Sequence, residues 1–510
     1  MNLLTSLISH LGSPAYSRVS SHPNGRFRQR KFARRWMISP LTIVIVLGGI
    51  VSIFAVIFFR RGKEEAPPPS SPLPRPTYVS TGLRTPLEQL FDRQSTTLDQ
   101  AVARYVLRND RQPPKNYDKW YKFAKSRECL IDDYDQIQRD FEPFYQLAQK
   151  DRTFFKKMVD QGTKIAIRDD MGMKTFEVKR GLVSSKDNRT SNYDGGWTFL
   201  LRNISASLPD VNLVFNHRDE PRVAFDARIP NTQDGALTVD DTTPLLQRAS
   251  PDIQVLHGRK ALPRPERSQG IHHIRQRRQF FASADFATDL YPVLSQTKIY
   301  PCFADILFPS EFHYTRAPNS PKYAYPNNIT WDDKRPTLYW RGQSTGGWIS
   351  GTNYHSFPRF KLLDIARDHE DIMDIDGCDP GAIKAEYNIT GESAPREDVY
   401  KYKYVFDVDG NSFSGRYLGL LKSGSLVFKS TIFAEYFDGW LEPFVHYIPV
   451  LPDLSDLVDR IEWARANDAE AQRIQRAGQE FVERIITDAQ NDCYFFLVLL
   501  EWARLQSGAQ

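Results

Sequence analysis

Tyr402–Ser430 reads YKYVFDVDGNSFSGRYLGLLKSGSLVFKS. The spacing predicts a strand, a polar turn, a short helix, a glycine stop and a second strand. Tyr402–Phe406 is the aromatic and β-branched run of a buried strand. Asp407–Asp409 and Gly410 break it, and Asn411, Ser412 and Ser414 offer caps for a helix that Arg416 opens. Leu418, Leu420 and Leu421 give that helix an apolar side. Gly424 ends it, and Leu426–Phe428 is the next strand. A βαβ unit with hydroxyls, glycines and an arginine at its helix N-terminus suits an anion, phosphate above all. The plainer reading is an ordinary βαβ unit with a capped helix.

Met37–Phe59 holds 23 residues without a charged side chain. At 1.5 Å per residue such a run crosses a hydrocarbon core about 30 Å thick. The 36 residues before it make too long an n-region for a signal peptide, and no small-residue cleavage site follows. Residues 1–36 are basic and free of acids, so the positive-inside rule predicts a cytosolic tail (1–36), a membrane helix (37–59) and a lumenal body. Residues 1–63 carry ten of the 67 basic side chains and none of the 62 acids. The body is therefore mildly acidic, and the net charge of +5 argues for no nucleic-acid partner. Sequons at Asn188, Asn203, Asn328 and Asn388 agree with a lumenal body. Cys129, Cys302, Cys378 and Cys493 lie on the same side and allow one or two disulfides, with three connectivities for a full pairing. They form no CxxC or Cys/His cluster of the zinc kind.

Residues 60–110 read as a stem, opened by a stalk with six prolines in the eleven residues Ala66–Pro76 and continued by a helical stretch around Pro86–Leu107. The rest is long enough for two lobes, 111–294 and 295–510. Residues 229–278 are polar and aperiodic, a long surface insertion in the first lobe. In the second lobe, Thr337–Gly347 is again a strand running into an arginine and small residues. Phe360–Ala366 has helical spacing, Val445–Val450 is strand-like, and the chain from Leu454 onward is helical. Alternating strands and helices imply an α/β fold with a parallel sheet and ligands at its carboxyl ends.

Arg341 with Gly342, Ser344 and Thr345 forms a second candidate phosphate cradle. Together with Arg416 it would clamp a diphosphate leaving group. Asp407-Val-Asp409 is open to two readings: a DxD holding a divalent ion, or a turn that leaves charge neutralisation to the arginines. The arginines favour the turn. In the first lobe, Asp210 and Asp219 bracket the strand Val211–Phe215, with His217 and Arg218 between them. One carboxylate facing a cleft would serve as general base, and turn residues at strand ends are the alternative.

The segments YWRGQSTGG (339–347), Tyr402–Phe437 and FVHYIPVLPDLSDL (444–457) resemble glycosyltransferase family 90, the capsule-associated-protein-like family, and its fungal branch in particular. That family includes fungal xylosyltransferases and animal protein O-glucosyltransferases of the Rumi type. The resemblance implies a GT-B architecture: two Rossmann-like lobes with a cleft between them. It implies a UDP-sugar donor, inversion at the anomeric carbon and no metal. It puts the catalytic carboxylate on Asp210, with Arg218, Asp219 and Asp409 secondary. The donor site falls on Arg341, Gly342, Ser344 and Thr345, on Asn411, Ser412, Phe413, Ser414, Gly415 and Arg416, and on Glu435 for the ribose. His446 and Tyr447 also match, as structural residues. The expected function is transfer of xylose or glucose to a hydroxyl of a glycan or glycoprotein by a type II Golgi membrane enzyme. The alternatives are a metal-dependent DxD transferase and a non-catalytic glycan-binding member. The insertion and the anchor depart from the animal members, so the acceptor does not carry over from them.

Overall fold

The computed structural model describes residues 85–168, 172–185, 194–223, 290–299, 303–316, 329–343, 345–347, 349, 351–377, 386–387 and 394–509. The expected cytosolic tail, membrane helix and insertion 229–278 lie outside them. So do Asn188, Asn328, Asn388, Cys302, Cys378 and Ser344. Among the described residues no helix is long and apolar enough to cross a membrane.

Two sheets organise the unit Val79–Gln510. The first contains β1 (Met173–Lys179), β2 (Leu182–Ser185), β3 (Val211–Asn216), β4 (Leu294–Ser295) and β5 (Ile306–Leu307), in the order β2-β1-β3-β4-β5. The β1–β2 and β1–β3 pairs are antiparallel, whereas β3, β4 and β5 run parallel. The second contains β6 (Arg335–Gly342), β7 (Met373–Gly377), β8 (Tyr402–Val408), β9 (Leu426–Ser430) and β10 (Ile448–Pro449), all parallel. Its order, β7-β6-β8-β9-β10, is the doubly wound 2-1-3-4-5 arrangement. Such a sheet has its ligand crevice where the order reverses, at the carboxyl ends of β6 and β8.

The burial pattern explains the sequence pattern. β8 and β9 are buried on both faces, so they show continuous apolar runs rather than alternation. Tyr339, Tyr402, Val405 and Val427 join a core shared with the first sheet and the N-terminal helices. Leu338, Trp340, Tyr404, Phe406 and Phe428 face the other way, onto Leu457, Ile461 and Ile474 of the helices Leu457–Ala466 and Asp468–Ile485.

The final helix, Asp488–Gln506, returns to the first sheet's side of the molecule. Trp502 packs edge-on against Phe155 at 5.1 Å and its indole donates to Asn212 O at 2.9 Å. Cys493 on this helix is disulfide-bonded to Cys129, 364 residues earlier. That bond resolves one of the open pairings.

The first sheet runs past the expected lobe boundary at 294/295. Leu294–Ser295 and Ile306–Leu307 complete the first sheet, so that sheet extends past residue 294. Two-residue strands carry no periodicity, which is why the pattern does not show them. For the same reason Val445–Val450 shrinks to the edge pair Ile448–Pro449. The helical stretch after the stalk becomes two helices, Pro86–Asp92 and Leu98–Asn109, each opened by a threonine cap.

Candidate active site

The segments that follow β4 and β5 meet the second sheet. Lys298 and Ala434 exchange backbone hydrogen bonds, and Thr297 Oγ1 donates to Ala434 O at 2.8 Å. Phe312 and His313, after β5, lie 6.3 and 6.0 Å from the ring of Phe413. A side chain at Gly415 would bring its Cβ within 3.2 Å of Phe312 Cγ. The carboxyl edge of the first sheet therefore faces the turn Gly410–Arg416.

This turn sits at the carboxyl end of β8, beside the loop that leaves β6. Arg359, on the helix Pro358–Asp368, ties the two together. Its guanidinium donates to Asp409 O at 3.0 Å, to Gln343 O at 2.6 Å and to Thr345 Oγ1 at 2.8 Å. Gly410 must be glycine here, because a Cβ would stand 2.8 Å from Thr345 Oγ1 and 2.9 Å from Arg359 Nη2. Arg359 was missed from the sequence because its helix looks like packing material. Only its position across the switch point marks it.

Arg416 has one hand engaged and one open. Nη1 donates to Arg341 O at 2.7 Å, while Nη2 is buried with no hydrogen-bond partner among the described residues. Ser414 Oγ, two residues away, is likewise buried and unpartnered. The guanidinium lies 5.7 Å from the ring of Trp340, whose indole N–H also lacks a partner. Unmade hydrogen bonds of buried donors cost about 1–3 kcal/mol each. Several in one crevice, one of them cationic, make a place where a phosphate would be held. The helix behind them, Tyr417–Leu421, has only five residues. The anion preference therefore rests on these side chains and not on a helix dipole.

Other expected donor-site residues behave differently. Arg341 turns its guanidinium onto β7, donating to Asp374 O at 2.8 Å and pairing with the Asp374 carboxylate. The register pairs Arg341 with Asp376 and Tyr339 with Asp374, so the guanidinium reaches back two residues along β7 and is held there, away from the diphosphate position expected of it. Gly342 lets the chain pass Trp340, since a Cβ would lie 2.8 Å from that indole. Asn411 and Phe413 are half-buried and Ser412 is buried, all within the turn.

Glu435, expected at the ribose, lies between the sheets. Its carboxylate is buried, 3.0 Å from His313 Nε2 and 3.7 Å from Lys429 Nζ, and burial raises its pKa above the usual range. It links the two sheets through these contacts, and its Oε2 has no hydrogen-bond partner among the described residues. His446 is structural, as expected: it accepts from Glu442 N at 2.9 Å, and burial lowers its pKa to about 4.

The DxD carboxylates point inward. Lys429 Nζ lies 3.1 Å from Asp407. Asp409 accepts from Thr431 Oγ1 at 2.6 Å and from Ile432 N at 2.8 Å, and burial pushes it up to about 7. These bonds fasten the turn to the loop after β9.

In the first sheet the bracketing carboxylates part company. Asp210 precedes β3, is exposed, and accepts from Arg180 N at 2.7 Å in the β1–β2 turn. Because β3 runs parallel to β4 and β5, Asp210 lies at the edge opposite the turn Gly410–Arg416, a strand length of roughly 20 Å away. Asp210, the carboxylate expected to be catalytic, thus stands apart from that turn. His217, Arg218 and Asp219 leave β3 at the facing edge, with Asp219 exposed.

Glu311 lies at the same edge and was not singled out from sequence. It is buried, its Oε2 has no hydrogen-bond partner among the described residues, and burial raises its pKa to about 7.

The geometry is a doubly wound parallel sheet with Arg416 at its switch point, faced by the carboxyl edge of a second sheet that carries Asp219 and Glu311. Residues 324–509 match the model of glycosyl transferase family 90. The chain is 32% identical over 180 residues to protein O-glucosyltransferase 2 of Danio rerio, covering 34% of each chain. It is 32% identical over 182 residues to protein O-glucosyltransferase 1 of Rattus norvegicus, covering 35% of this chain and 44% of that one. It is 39% identical over 112 residues to protein O-glucosyltransferase 3 of Homo sapiens, covering 22% of each. The matches thus span less than half the length of these relatives.

Proposed function

We propose that this chain is an inverting glycosyltransferase of GT-B architecture that moves a sugar from a UDP-sugar to a hydroxyl of a glycan or glycoprotein. The observation that carries the reading is the pair of buried donors at Arg416 and Ser414, unpartnered among the described residues, within the family-matched segment. The relatives' names favour glucose as the sugar, and the fungal resemblance keeps xylose beside it.

In this scheme the acceptor oxygen attacks the anomeric carbon and the bond to the β-phosphate oxygen breaks. UDP leaves with the bonding electrons, and the acceptor proton passes to Asp219. Arg416, Ser414 and neighbouring N–H groups stabilise the departing diphosphate. No metal is assigned to Asp407 and Asp409, since Asp407 Oδ2 pairs with Lys429 and both Asp409 oxygens accept from Thr431 and Ile432.

A secretory-pathway setting, with residues 37–59 as a type II anchor in the Golgi membrane, is part of the same proposal. It draws support from the Cys129–Cys493 disulfide and from the exposed sequon residue Asn203.

The test is a panel of UDP-sugars offered to the full chain, with UDP release as the readout, in EDTA and in manganese. Turnover of UDP-glucose or UDP-xylose in EDTA is the expected result. Activity only with manganese would move the reading to the DxD alternative. No turnover of any donor would leave a non-catalytic binding protein.

A further inference from the structure

Asp219 sits on a turn that one side chain braces from within. Asn216, the last residue of β3, is 1% exposed. Its Oδ1 accepts from Arg218 N at 2.9 Å, and its Nδ2 donates to Glu220 O at 2.7 Å. A single buried amide thus spans the residue on each side of Asp219. His217 N donates to Gly172 O at 2.9 Å, which holds the start of the turn against β1.

The far end is equally restrained. Glu220 and Arg222 form a buried ion pair at 3.0 Å, and Arg222 Nε donates to Glu220 O at 3.1 Å. Asp305 accepts from the N–H groups of Arg222 and Val223 at 2.8 and 2.9 Å, and from Ser295 Oγ at 2.5 Å. Between these two fixed ends, Asp219 is the exposed residue of the turn.

We infer that Asn216 is a positioning residue for sugar transfer: by holding Arg218 N and Glu220 O in one grip, it sets where the Asp219 carboxylate points. The inference rests on the proposed role of Asp219 as base. A general base must come within hydrogen-bond reach of the proton it takes. A displacement of about 1 Å at such a group costs on the order of 100-fold in rate. An amide serves here because it both accepts and donates; an aspartate would keep the bond to Arg218 N and lose the one to Glu220 O.

The test compares Asn216→Ala, Asn216→Asp and Asp219→Asn in the full chain. UDP binding by calorimetry counts folded sites, and UDP release from UDP-glucose or UDP-xylose is expressed per UDP-binding site. Both Asn216 variants are expected to bind UDP within twofold of wild type while kcat per site falls at least tenfold. The acidic limb of the pH profile should shift as well, because the surroundings of the carboxylate change. A purely structural role would lower the number of UDP-binding sites or the melting temperature and leave kcat per site and the pH limb alone. If Asp219→Asn is inactive but both Asn216 variants keep kcat per site within twofold, the inference is overturned and the base stands. If Asn216→Ala fails to fold, the isosteric Asn216→Asp decides by the same criterion. An active Asp219→Asn overturns the base assignment, and the positioning role falls with it.

Discussion

Replacing Arg416 by alanine separates the crevice from its surroundings. Among the described residues the guanidinium makes one hydrogen bond, to Arg341 O, and its other terminal nitrogen is buried and unpartnered. A diphosphate held there would gain a charge-assisted hydrogen bond, for which about 1.5–3 kcal/mol is usual. Its loss corresponds to a Kd for UDP raised roughly 10- to 150-fold. Loss of the bond to Arg341 O falls on stability instead, at about 1 kcal/mol. Arg341→Ala is the contrasting variant, because that guanidinium is occupied by Asp374. It should change UDP affinity by less than Arg416→Ala. Calorimetric titration with UDP, UMP and uridine reads the effect directly. Arg416→Ala should weaken UDP most and leave any uridine binding unchanged. Equal UDP affinity in wild type and Arg416→Ala, or a larger loss in Arg341→Ala, would refute the assignment.

Asp219→Asn should lower kcat at least 100-fold with UDP affinity retained, whereas Asp210→Asn should keep most of its activity; steady-state UDP release distinguishes them, and the reverse ranking would restore Asp210. Glu311 gives a pH signature. Its pKa in the folded protein, about 7, lies above the ordinary 4.5, so the folded state favours the protonated form. No penalty exists below the unfolded pKa, and stability is lost as pH rises from about 4.5 through 7. Melting temperatures at pH 5 and pH 8 should therefore differ less in Glu311→Gln than in wild type, and an identical difference would exclude this origin.

Much of the second sheet was legible in the chain itself. Double-sided burial of β8 and β9 leaves continuous apolar runs, and the polar turn between Asp407 and Arg416 stands out against them. Arg416 could be singled out because it interrupts that pattern. Arg359 could not, for its contacts depend on two loops far away in sequence. The same holds for Arg341 and Glu435. Both are polar residues in the expected places, but Asp374 and His313, which neither run of sequence reveals, hold their side chains.

The sharpest division falls on the two aspartates around β3. Local sequence determined that carboxylates stand at both ends of a buried strand, and nothing in that stretch ranks one above the other. The choice came from β4 and β5, two-residue strands that run parallel to β3 and turn its carboxyl end toward the second sheet. Strand direction is set by backbone pairing between distant segments, and such pairing leaves no mark in side-chain periodicity. Composition and pattern therefore determined which elements form and which residues are chemically able to act. Only tertiary structure decided which of them lie near one another, and that placement is why the proposal takes Asp219 rather than Asp210 as the base.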